Sequence, residues 1–197
     1  MAKPEQQVDG PATAGSDAGE RQLDGEVITR DEAGRVKEKA SFKAGKLDGK
    51  TTLYDESGVI IQTVNFKDGQ MSGEMIFFDK GIMLLKSAYK EGKLDGVSTT
   101  FDESGNPVQQ AEYEAGKLDG DSHWYGKDGQ AVKRSQFQED KLEGITIEYY
   151  PGGKARIRSH YKSNKLDGEV VEYAEDGTII SRVVYKAGEP VDLKSRS

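Results

Sequence analysis

The chain has 197 residues, of which 34% are apolar and 32% charged, with 24 glycines, no cysteine and a net charge of −7. So acidic a surface repels phosphate backbones and disfavours nucleic acid as a partner, and the lack of cysteine excludes disulfides, thiolate nucleophiles and Cys-type metal sites. The apolar share is low for a thick two-layer core and suits a thin sheet.

Residues 1–22 are rich in Gly, Ala, Asp and Pro, with only Met1 and Val8 as larger apolar groups. That composition predicts a flexible tail. The tail shows no apolar leader segment, and no stretch of the chain approaches transmembrane length. The expected location is cytoplasmic, or periplasmic if a leader has been removed.

From residue 23 to 188 a block of about 24 residues recurs seven times. Its marker reads Lys46-Leu47-Asp48-Gly49, Lys93-Leu94-Asp95-Gly96, Lys117-Leu118-Asp119-Gly120 and Lys165-Leu166-Asp167-Gly168. Weaker copies are Gln22-Leu23-Asp24-Gly25, Gln70-Met71-Ser72-Gly73 and Lys141-Leu142-Glu143-Gly144, and the third repeat is one residue short. Each block holds two strand-like runs separated by turn signals, such as Asp55-Glu56-Ser57-Gly58 and Asp68-Gly69. Glycines this frequent would cut any helix short. The expected fold is all-β: an elongated array of about seven antiparallel hairpins forming one twisted, curled sheet over 23–188. A polar C-terminal tail follows over 189–197, where Pro190 stands in the marker Leu column.

Counting the marker Gly as position 1, aromatic residues fill position 6 (Tyr54, Phe78, Phe101, Tyr125, Tyr149, Tyr173) and position 18 (Phe42, Phe66, Tyr89, Tyr113, Phe137, Tyr161, Tyr185). Position 16 is small or Val. Strand alternation predicts positions 4, 6, 12, 16 and 18 on one side of the pleat, with rings stacked as ladders. Positions 5, 13 and 15 are expected on the other. There Leu53, Phe77 and Trp124 at position 5, with Ile61, Leu84, Val108, Val132 and Ile180 at position 13, form a candidate apolar contact patch. The same apolar groups also suit a second buried layer inside a curled array. Position 15 is mostly basic and includes Lys39, Lys86, Arg134, Arg158 and Arg182.

The run from Gly45 to Gly58, G-K-L-D-G-x-x-x-x-[YF]-x-x-x-G, resembles the MORN repeat in its bacterial variant form. The resemblance spans residues 23 to about 188. Ordinary MORN repeats carry more glycine and a Trp or Tyr-x-Gly opening, which this chain mostly lacks. The resemblance implies a row of β-hairpins and no catalytic residues. It also implies a bacterial antitoxin or immunity protein that occludes a cognate protein toxin or effector, or else a scaffold or anionic-lipid headgroup binder.

The residues agree on the absence of catalysis. His123 and His160 are isolated and are expected on opposite faces, and no phosphate-binding glycine loop or metalloprotease motif occurs. Each marker turn offers one carboxylate, fewer than a calcium loop needs. We therefore expect no enzyme, no cofactor and no metal. Leu53, Phe77 and Trp124 are the expected apolar anchors for a protein partner, with Arg134 and Arg158 as charged contacts. Membrane binding is disfavoured by the net charge. A monomer is expected, with weak self-association through edge strands as the alternative.

Overall fold

The computed structural model describes residues 22–191 as antiparallel β-structure, with no helix among the described residues. The chain divides between Leu94 and Asp95 into two compact units. The first holds β1 (Gly25–Arg30), β2 (Val36–Lys43), β3 (Lys46–Tyr54), β4 (Ile60–Lys67), β5 (Gln70–Asp79) and β6 (Ile82–Lys90). The boundary falls inside β7 (Lys93–Phe101). The second unit continues with β8 (Pro107–Glu114), β9 (Lys117–Tyr125), β10 (Ala131–Gln138), β11 (Lys141–Tyr149), β12 (Ala155–Lys162), β13 (Lys165–Tyr173), β14 (Ile179–Lys186) and the two-residue β15 (Glu189–Pro190). In each unit the strands lie side by side in chain order. Of the two expected tails, only Gln22 and residues 189–191 fall within the described residues.

Two turn chemistries build every hairpin. Inside a repeat, Gly58 donates to the Asp55 carbonyl at 3.0 Å, and the Asp55 carboxylate accepts the N–H groups of Ser57 and Val59 at 2.8 Å. Asp is favoured there because its side chain satisfies backbone donors that the turn leaves over. Between repeats the loop has two residues, Ala44 and Gly45, with φ of 49° and 76°. This is the primed turn whose twist matches the strands. The one-residue deletion in the third repeat replaces the longer turn with a second primed one, Lys80-Gly81, with φ of 49° and 82°.

The marker joins one repeat to the next. The carbonyl of Leu47 accepts the Gly69 N–H at 2.8 Å, and the Asp48 carboxylate accepts the Asp68 N–H at 3.2 Å. The same pair of bonds links Leu23 and Asp24 to the turn at 44–45, and Leu166 and Asp167 to the turn at 187–188. Where that turn carries Asp140 or Asn164 in place of Gly, its side chain returns a bond to the marker amide of Leu118 or Leu142. Stability in each unit is thus assembled from neighbour-to-neighbour contacts, as in other repeat proteins.

The register corrects the expected faces. Position 3 lies opposite position 16, as in Thr51↔Val64 and Ser122↔Ser135, and position 4 lies opposite position 15, as in Thr52↔Thr63. Directly paired residues share a face. Positions 3, 5, 14, 16 and 18 therefore lie together, and positions 2, 4, 6, 12, 15 and 17 lie on the other side. The two aromatic columns stand on opposite faces. The cause is a register shift in each hairpin, such as that between Leu53 and Tyr54, where position 13 is the extra residue. Parity counted through a bulge changes sign. Rings of one column also sit on alternate strands, about 10 Å apart by strand spacing. Continuous ring ladders do not form. Phe66, for example, lies between Gly49 of its own hairpin and Met71 of the next.

The core is a spine of small side chains along positions 3 and 16. Ala40, Val64, Met75, Ala111, Ser122, Ser135, Thr146 and Ser159 are all buried, and Ser122 and Ser135 are 0% exposed. Small groups suit this column because larger side chains flank them along each strand and close over them. Thr146 donates its hydroxyl to Ser135 Oγ at 3.0 Å, which satisfies two polar groups in the spine.

Candidate binding surface

The expected contact residues fall in both units and on both faces. In the first unit Leu53 and Phe77 flank Gln62 across β3, β4 and β5, on the spine side. Leu53 is half-buried, and Phe77 is 42% exposed. In the second unit Trp124 is also on the spine side, between Gln109 and Lys133. The Lys133 ammonium sits 5.1 Å from the Trp124 ring centre. Such a cation is attracted by the negative face of the indole ring.

Arg134 and Arg158 project from the opposite side. Across β9 to β14, His123, Arg134, Ile147, Arg158, Val171 and Arg182 stand in one row. Trp124 and the arginines therefore cannot meet one flat partner together. His123 and His160 share this charged-row face, contrary to expectation, because His160 pairs with Ile145 at position 2. The two are three strands apart, about 14 Å by strand spacing, so they form no common site. His123 stacks instead on Tyr125, with ring centres 6.3 Å apart.

Repulsion along the basic row is relieved locally. The position 2 acid of the same hairpin reaches diagonally to the position 15 base. Asp121 holds Arg134 through two bonds, at 3.2 and 2.8 Å. Glu169 lies 3.5 Å from Arg182, and Glu74 pairs with Lys86. The bond from Asp121 raises the Arg134 guanidinium's hold on its proton. Each such exposed pair contributes at most about 1 kcal/mol. These pairs become visible only through the register, which sets positions 2 and 15 on one face.

Among the described residues, two of the shallow cavities each lie within one unit. One of about 350 Å³ is lined by Glu112, Asp119, Asp121, Gln136 and Glu143. Its carboxylates are already engaged: Asp119 accepts the Glu139 N–H, Glu143 the Ser163 N–H and Glu112 the Asp121 N–H. The other, about 380 Å³, lies beside Arg35, Lys39 and Tyr54. Arg35 there bonds Asp31 and the Glu56 carbonyl. Among the described residues no cluster of His, Asp or Glu could hold a metal.

No curated protein matches the chain. Among solved structures, it is similar to the alternansucrase ASR in complex with isomaltononaose, at 17% identity and a TM-score of 0.21. That match covers 87% of this chain and 15% of the alternansucrase. A likeness of that size carries no functional information. Four segments, residues 47–68, 94–115, 142–163 and 166–187, match the family described as the MORN repeat variant, whose repeats are in general non-catalytic.

Proposed function

We propose that this chain is a non-catalytic binding protein that presents a sheet face to another protein, and that it serves as an antitoxin or immunity protein occluding a toxin or effector. The observation that carries the binding reading is the large apolar side chain that each unit holds at position 5. Phe77 is 42% exposed on a strand pinned on both sides, and the Trp124 ring has the Lys133 ammonium 5.1 Å from its centre. Apolar groups held rigidly at a surface lose little entropy on docking. The antitoxin role rests on the family resemblance. The test is to isolate the protein that co-purifies with the full chain and express it alone and together with the chain. Growth arrest that the chain relieves supports the role. Trp124→Ala should then weaken the complex by about 2 kcal/mol or more, and unchanged affinity removes Trp124 from the contact.

The basic row favours a second reading, binding of anionic lipid headgroups. Acids within the same hairpins already neutralise Lys86, Arg134 and Arg182, which lowers the charge left for a membrane. Strong co-sedimentation with anionic vesicles at low salt would make this the better reading.

A further inference from the structure

One base at position 15 has no acid at position 2 of its own hairpin. Repeats three, five and seven place an acid at position 2 against a base at position 15. In the sixth repeat the base is Arg158 and position 2 is Ile145. Every other arginine among the described residues makes a hydrogen bond or an ion pair: Arg30 with Gly34, Arg35 with Asp31, Arg134 with Asp121, Arg156 with Glu148 and Arg182 with Glu169. Arg158 makes neither, and it is exposed. On the adjoining strand, Glu169 is taken by Arg182 at 3.5 Å.

Much of what surrounds Arg158 is apolar, with His160 two residues along the same strand face and Glu169 diagonal to it on β13. Ile147 and Val171 are its direct neighbours on β11 and β13. Strand alternation puts Ile145 and Tyr149 on the same face of β11, and Tyr173 on the same face of β13. Val171 is 4% exposed, and the isoleucines and tyrosines are half-buried. An arginine rising from such a floor is poorly solvated on one side and presents a planar fork of donors to the other. A carboxylate docking there gains a charge-assisted, two-pronged bond while its neighbours cover apolar area.

Resting on the protein-binding reading above, we infer that Arg158 and its apolar surround are a docking site for a protein segment that carries an Asp or Glu flanked by apolar residues. The partner's carboxylate occupies the place that Asp121 and Glu169 fill in the neighbouring hairpins. The missing internal acid is what leaves this place open, and Ile145 adds apolar contact instead.

The test pans a displayed library of random short peptides against the full chain and against Arg158→Glu, Arg158→Gln, Ile145→Glu and Lys127→Ala. Ile145→Glu restores the internal pair and should fold, since position 2 carries an acid in four other repeats (Glu26, Glu74, Asp121 and Glu169). Far-ultraviolet circular dichroism checks each variant. The expected result is enrichment of peptides with an acidic residue beside apolar ones, whose affinity falls about tenfold or more in the Arg158 and Ile145 variants and is unchanged in Lys127→Ala, a substitution at an exposed turn residue. Enriched peptides that lack an acid, or that bind these variants equally well, overturn the site but leave the protein-binding reading standing. Failure of any peptide to bind any form counts against both. Binding of phosphatidylserine vesicles that is lost in Arg158→Gln assigns the site to lipid phosphate and overturns the carboxylate assignment.

Discussion

The Asp119 carboxylate accepts the backbone N–H of Glu139, twenty residues further on, at 3.1 Å. Glu139 has φ of 47°, in the left-handed region. The marker acid of a repeat thus holds a strained residue of the turn that leads into the next, and the bond ties two hairpins together.

Asp119→Ala should cost about 1 kcal/mol, the net worth of a side-chain to backbone bond. Asp119→Asn, which keeps an acceptor oxygen, should cost less. Urea unfolding of both variants checks this. Equal losses would mean that charge rather than the acceptor matters. Repeat arrays can unfold in parts, so two spectroscopic probes should be followed together.

The spine makes a two-sided prediction at Ser122. This residue is 0% exposed, and its hydroxyl has no hydrogen-bond partner. Ser122→Ala should be neutral or stabilising, because it removes a desolvated, unpaired group worth about 1–3 kcal/mol. Ser122→Leu should destabilise by about 1–3 kcal/mol through overpacking. A harmless leucine would show that the flanking side chains do not close over this column.

Gly168, the last residue of its marker, tests the need for glycine there. Its φ is +126°, and an added Cβ would lie 2.9 Å from the His160 Cβ. Gly168→Ala should cost about 1–3 kcal/mol. Gly34→Ala is the control, with φ of +80° and nothing within 4 Å of the added carbon. It carries the conformational part alone, about 1–2 kcal/mol. Thermal midpoints that match would assign the whole effect to φ and none to contact with His160.

Acid should weaken the fold through the turn carboxylates. The backbone N–H of Asn106, with its side-chain amide, holds Asp102 below the usual carboxylate range. The Lys186 ammonium and the Ala187 N–H do the same for Asp167. A carboxyl whose folded pKa is depressed contributes stability above its unfolded value, about 3.9, and loses it as pH falls through the lower folded value. The thermal midpoint should therefore be flat through neutral pH and fall below about pH 4. Asp102→Asn should remove part of that slope. Parallel curves for the two chains would place the acid sensitivity elsewhere.

The repeat phase, the turn positions and the all-β class were legible in the sequence by itself, because they rest on local chemistry. Gly, Asp and Asn stand where the backbone needs positive φ or an extra acceptor, and no helix tolerates glycine at that frequency. The facing of the side chains was not legible. It depends on which residue of one strand lies opposite which of the next, and a single extra residue at position 13 shifts that by one. That shift moved Trp124 away from Arg134 and Arg158, and it brought Asp121 beside Arg134. Only the tertiary structure, through the paired register, could decide which acids meet which bases. Arg158 therefore reads as one basic residue among several in the sequence, and as the arginine without a partner among the described residues of the fold.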